Sequence, residues 1–92
     1  MIVGFRHKGL RALYEKDSIR GVQADQAAKL RRILTALDAA NNPGDLEIPG
    51  FRLHSLSGKL NDHWSIWVNG NWRVTFRFIE SDVELVDYQD YH

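Results

Sequence analysis

The sequence predicts an α+β domain in which two helices pack on one face of a largely antiparallel sheet. Three observations predict it. Apolar residues in the first half recur at three- and four-residue steps, those in the second half alternate, and Asn69–Gly70 separates two alternating runs as a hairpin signal. The element order reads β-α-α-β-β-β-β. Residues 1–92 are expected to form one domain, because either half alone would be too small to bury a core. A hydrophobic fraction of 43%, with three tryptophans and four phenylalanines, is enough for one such core.

Ile2–Phe5 ("IVGF") is expected to form a short first strand. Gly9–Asp17 ("GLRALYEKD") reads as a short helix with Leu10, Leu13 and Tyr14 on one side. From Gln23 to Ala40 the apolar positions Ala27, Leu30, Ile33, Leu34, Leu37 and Ala40 define an amphipathic helix, with Lys29, Arg31 and Arg32 on its exposed side. Asn41–Gly44 ("NNPG") stops it. Phe51–Leu56 ("FRLHSL") is then a strand, "SGKLND" a loop, and "HWSIWV" and "NWRVTFRFI" the arms of the hairpin. "VELVDYQDY" follows as the last strand. Alternation puts Trp72, Val74, Phe76 and Phe78 towards the helices and Arg73, Thr75 and Arg77 on the other face. The same reasoning places Phe51 and Leu53 inward and Arg52 and His54 outward, so His54 and Arg73 emerge on one open face. Leu85 and Val86 make the last strand apolar at both parities, and the direction of Asp90 stays open.

Charge excludes little by its total and more by its distribution. The chain has 12 basic and 12 acidic residues, but residues 1–40 hold eight Lys/Arg against four Asp/Glu and residues 41–92 the reverse. A basic half can attract phosphate, or it can be a solvated helix surface. The absence of cysteine excludes disulfides and thiolate metal sites and fits a reducing compartment. No apolar run approaches the roughly 20 residues of a membrane helix. Arg6, His7 and Lys8 precede no apolar stretch, so no signal peptide is expected.

The chain ends on "DYQDYH", and the polar set His54, Arg73, Asp90, Tyr91 and His92 can be read as chemistry. Cleavage of a phosphodiester by its own 2′-hydroxyl needs a base, a cation for the crowded phosphate and an acid for the 5′-oxygen. Histidine serves as either acid or base near neutral pH. Arginine holds two phosphate oxygens with fixed charge. No metal or other cofactor is required, because the nucleophile is already on the substrate. Alternatives stay open on spacing alone: Arg73 can pair with Asp87 or Asp90, His54 can be an ordinary strand histidine, and His54, His63 and His92 can form a zinc site. His7 and His63 read as structural.

The stretches "FRHKGL", "LDAA", "RLHSLSG", "WSIWVNGNWRVTF" and "VDYQDYH" together resemble the HigB-like toxins of the RelE/ParE superfamily, and the likeness runs the length of the chain. The resemblance implies a ribosome-dependent endoribonuclease of the bacterial cytoplasm that cuts mRNA in the decoding site. It further implies a helix-turn-helix, HigA-like antitoxin partner, with operator DNA reached only through the complex. Its active positions fall on His54, Arg73, Asp90, Tyr91 and His92. Relatives often have lysine where Ser57 stands; Lys59 is then a candidate auxiliary phosphate contact. Arg6, Lys8, Arg11, Arg31 and Arg32 become candidates for contact with ribosomal RNA, where phosphate contacts position without reading sequence. The superfamily also hosts ParE-like gyrase inhibitors, and an inactive relative would only bind antitoxin. Fold alone does not choose among these.

Overall fold

In the first half of the chain the three-to-four periodicity becomes helix as expected. The structure, a computed structural model, describes residues 1–91. Helix α1 spans Lys8–Lys16 and α2 spans Ala27–Ala39, the latter preceded by a 3₁₀ turn at Ala24–Gln26. The apolar stripe of α2 (Ala27, Leu30, Ile33, Leu34 and Leu37) is buried together with Ala40, which caps the helix. Pro43 then opens a second 3₁₀ turn, Pro43–Leu46, since its missing N–H is no loss at a first turn. His7 caps α1: its Nδ1 accepts the Leu10 N–H at 3.1 Å. At the other end Asp17 takes φ 54° and closes the helix with backbone bonds to the last turn.

Four antiparallel strands follow in the order β1-β2-β3-β4: His54–Ser55, His63–Asn69, Trp72–Ile79 and Asp82–Asp90. The core lies between this sheet and the helices and includes Leu10, Leu30, Ile33, Ile66, Phe76 and Val86. The α+β prediction therefore holds, with local corrections. The hairpin turn falls on Gly70–Asn71 rather than Asn69–Gly70. Asn69 pairs with Trp72, and Gly70 takes the positive φ of 54°. Phe51–Leu56 is strand only at His54–Ser55, because Arg52 at φ 48° breaks the extended run. Thr75 lies on the face away from the helices, as alternation predicts, and is 1% exposed there.

A further correction concerns the first strand. Ile2–Phe5 forms two parallel bridges to β4, Ile2 with Val83 and Phe5 with Val86, and no continuous strand. The cause is a bulge in β4. Thr75 faces Asp87 and Arg77 faces Glu84, so β4 carries one residue more than β3 between these pairs. Leu85 takes φ 55° there. The bulge interrupts the ladder on both sides of β4 and lets Val83 and Val86, three residues apart, both point into the core. That is why the last strand is apolar at both parities.

The N-terminal segment is further tied to α2, where Asp38 Oδ1 accepts the Ile2 N–H at 3.0 Å and the Tyr14 hydroxyl at 2.7 Å. These two bonds hold the Asp38 carboxyl below its usual range.

The start of α1 meets the loop before α2 backbone to backbone. A Cβ on Gly9 would sit 2.3 Å from the Gly21 carbonyl oxygen, and one on Gly21 would sit 2.5 Å from Gly9 Cα. Gly9→Ala should therefore cost about 1–3 kcal/mol, which at roughly 4–8 °C per kcal/mol is a plain drop in Tm for a chain of this size. Gly4→Ala is the control: its Cβ would meet its nearest atoms at 3.8 Å, an ordinary contact. Thermal melts that showed equal Tm for the two variants would contradict the close approach.

Candidate functional site

Antiparallel partners share a face, so the registers place the candidate residues. Three rows cross the face turned away from the helices. His54, Ser65, Thr75 and Asp87 form one; Trp67, Arg73 and Gln89 form the next towards the β2–β3 turn; His63 and Arg77, with Glu84 beside them, lie on the other side. Ser65 and Thr75 are 4% and 1% exposed, so they are the floor beneath longer flanking side chains. Gln89 Nε2 donates to Thr75 Oγ1 at 3.2 Å and to Asp87 Oδ2 at 3.1 Å, which fixes that floor to β4. His54 and Arg73 share this face, as alternation predicts. With strands about 4.8 Å apart and about 3.4 Å per residue, their Cα atoms are roughly 12 Å apart.

Arg73 is held by neutral partners. Its Nη1 donates to the carbonyls of Gly70 and Trp72, both at 3.2 Å. The Gly70 carbonyl also accepts the Trp67 indole N–H at 2.9 Å. Nε and Nη2 of Arg73 make no hydrogen bond among the described residues, which leaves the planar fork for an anion. Arg77, two rows along on the same face, directs those same two nitrogens at Glu84, with Nε at 2.8 Å.

The tail divides. Tyr91 continues the β3–β4 ladder, its N–H donating to the Asn71 carbonyl at 2.8 Å, and its parity is that of Gln89 and Arg73. Asp90 pairs with Trp72, so it leaves the strand on the helix side, beside Tyr88. Asp90 is exposed at this end of the strand. His92 lies outside the described residues. Ser57 and Lys59 are both exposed, Lys59 in the 3₁₀ turn Gly58–Leu60 that follows β1.

Tyr88 anchors this end from below. Its hydroxyl bonds Gln26 Oε1, its ring stacks on Trp72 with centroids 4.5 Å apart, and His7 meets it edge-on at 5.3 Å. Burial pushes the Tyr88 phenol up, and burial likewise pushes His7 down against the opposing charge of Asp87. His7 is thus a helix cap and an aromatic contact, as its structural reading expects.

Among the proposed ribosomal RNA contacts, Arg6, Lys8, Arg11 and Arg32 are exposed. Arg31 is exposed but bonded to Asp17 at 2.7 Å. Sequence reasoning passed over Lys29 and Arg52, whose charged groups each sit 4.2 Å from the Trp67 ring centroid. Periodicity places Lys29 on the exposed side of its helix and alternation places Arg52 outward on its strand; the one signal is that Trp67 falls on the outward parity of β2. Among the described residues no three His, Asp or Glu side chains gather as a metal site.

Comparison with known proteins gives a consistent result. The family model for RelE-like toxins of the HigB type II toxin–antitoxin system matches residues 3–92. The chain is 42% identical to the endoribonuclease HigB of Proteus vulgaris, over the full length of both. It is 37% identical to the toxin HigB-1 of Vibrio cholerae serotype O1, over all of this chain and 98% of that protein. Among the described residues no helix is long and apolar enough to cross a membrane.

His63 generates a prediction about pH. It is 9% exposed, and its pKa is lowered from 6.5 first by burial and then by Arg77 and Arg6, against the smaller opposing pull of Asp62 and Glu84. Because the folded pKa lies below the unfolded one, the protein keeps this contribution above pH 6.5 and loses it as pH falls below that value towards the folded pKa. His63→Leu should flatten the decline in Tm as pH falls below about 6.5. Wild-type and variant curves that ran parallel across that window would show that His63 is not responsible.

Proposed function

The chain belongs to the RelE-like HigB toxins of type II toxin–antitoxin systems, and from that premise we propose that it is an endoribonuclease cutting translated mRNA on the ribosome. Membership makes it a toxin with an antitoxin partner and an RNA substrate. The observation that carries the mechanism is the Arg73 fork. Its charge is held in place by two carbonyls that do not neutralise it, on the face shared with His54 and Tyr91. The substrate's 2′-hydroxyl attacks the adjacent phosphorus as a base takes its proton; the P–O5′ bond breaks and an acid protonates the leaving oxygen. Arg73 stabilises the crowded phosphate, Tyr91 positions the scissile nucleotide, and His92 is the acid. The base is His54, already on the Arg73 face, or Asp90, reaching round the strand end. Lys59 supplies charge where Ser57 does not.

A chain with equal numbers of basic and acidic residues has little general attraction for RNA. The ribosome then supplies both substrate and orientation, with Arg6, Lys8, Arg11 and Arg32 facing ribosomal phosphate and Arg31 contributing less while tied to Asp17. A helix-turn-helix antitoxin restrains the toxin in the bacterial cytoplasm, and operator DNA is reached through that complex.

Purified protein should cut mRNA on programmed ribosomes, leaving a 2′,3′-cyclic phosphate and a 5′-hydroxyl, and spare the same naked RNA. Equal cutting of free RNA would overturn ribosome dependence; gyrase inhibition without cleavage would overturn the nuclease.

Arg73→Ala should slow single-turnover cleavage roughly 10²–10³-fold, and deletion of His92 about 10²–10⁴-fold, with melting curves little changed. A fully active chain lacking His92 would remove it from the mechanism, and a large Tm loss in Arg73→Ala would make Arg73 a structural residue.

A further inference from the structure

We propose that Lys29, Arg32 and Arg52, aligned through Trp67 with Arg73, form a second cationic subsite that holds the phosphodiester backbone of an RNA strand. The subsite rests on the ribosome-directed reading above and extends it beyond the scissile phosphate. Lys29 Nζ and Arg52 Cζ are each 4.2 Å from the Trp67 ring centroid, a cation–π distance. Lys29 Nζ also donates to the Gly50 carbonyl at 2.9 Å, which fixes it beside the loop that carries Arg52. Trp67 in turn shares the Gly70 carbonyl with Arg73 and faces it across β2 and β3. The indole therefore spaces the cluster from the phosphate-binding fork at a fixed distance.

Two features favour an anionic ligand over simple packing. The chain neutralises other cations, Arg31 with Asp17 and Arg77 with Glu84. Among the described residues none of Lys29, Arg32 and Arg52 has a carboxylate in a salt bridge. Like charge surrounds Lys29. Arg32 lies three residues on along α2, on the neighbouring turn, and Lys29 is pushed below its ordinary pKa by burial first, then by the charges of Arg32 and Arg52. Holding like charges together opposes folding, and a polyanion compensates them when it binds. With cations over the indole, Trp67 is a spacer for charge and not a platform for a base.

The test uses Lys29→Gln/Arg52→Gln on the full-length chain. With programmed ribosomes, the half-saturating concentration should rise about tenfold while the saturating single-turnover rate stays unchanged. The salt dependence of binding should flatten by roughly 0.7–0.9 log units for each phosphate that the variant no longer neutralises. Tm should hold or rise as repulsion is relieved. Two messages identify the strand, one ending at the decoding-site codon and one extending beyond it. A weakening seen only with the longer message makes the ligand mRNA; an equal weakening with both makes it ribosomal RNA. Unchanged affinity and salt slope with a lowered Tm would overturn the subsite and leave the cations as packing on Trp67. A fluorescein-labelled single-stranded RNA 12-mer at low salt separates this from the function itself. If wild type ignores ribosomes yet binds the oligonucleotide more tightly than the variant does, the subsite stands and the ribosome reading falls.

Discussion

One extra residue in β4 decides which way the end of that strand faces. A strand without the bulge at Leu85 would keep strict alternation from Val83, turning Leu85 into the core and Val86 and Tyr88 out of it. The observed register instead buries Val83, Val86 and Tyr88 and sends Asp87, Gln89 and Tyr91 to the face of Arg73. The cost is a leucine at φ 55°, of the order of 1–2 kcal/mol. It is offset by what the shifted register allows: Tyr88 stacks on Trp72 and bonds Gln26, and Phe5 docks against Val86. The positions of Asp90 and Tyr91 follow from this one irregularity.

Tyr88 then carries the constraint from the sheet to both helices. His7, at the start of α1, meets its ring edge, and Gln26, at the start of α2, meets its hydroxyl. The last residues of β4 are consequently not a frayed terminus, since the strand that bears them is packed on one side and hydrogen-bonded to β3 on the other. A side chain that must meet a phosphate within a fraction of an ångström needs such support. The Trp72–Tyr88 stack supplies such support to the end of β4.

Helix α2 was legible because its stripe of six apolar positions has only one solution. The alternation of β3 was equally clear, and it placed His54 and Arg73 on one face correctly. Sequence reasoning failed where a single backbone angle overrides a pattern. Arg52 at φ 48° shortens a strand, Leu85 at φ 55° splits the pairing of Ile2–Phe5, and neither residue is a glycine that would announce the turn. Alternation put Thr75 on the correct face but says nothing of its burial, since Gln89 bonds its hydroxyl from the neighbouring strand. Lys29 and Arg52 were invisible as a pair because they are far apart in sequence and meet only on Trp67.

The two arginines of β3 show what the structure adds to chemistry read from residue types. Arg73 and Arg77 lie on one face of one strand, and nothing in their spacing prefers either as a phosphate ligand. Their donors are used in opposite ways. Arg77 presents Nε and Nη2 to the Glu84 carboxylate, so a phosphate would have to displace an ion pair that is only partly exposed. Among the described residues Arg73 commits only Nη1, to two carbonyls that orient the guanidinium without neutralising it. Lysine could not divide its donors this way, because its three N–H groups share one nitrogen and lack the flat fork. Position along the strand differs too: Arg73 sits beside the β2–β3 turn, where the Tyr91 N–H bonds the Asn71 carbonyl. Arg77 sits further along β3, opposite buried His63. One arginine therefore ties β3 to β4 through an ion pair, and the other is oriented by carbonyls without one among the described residues.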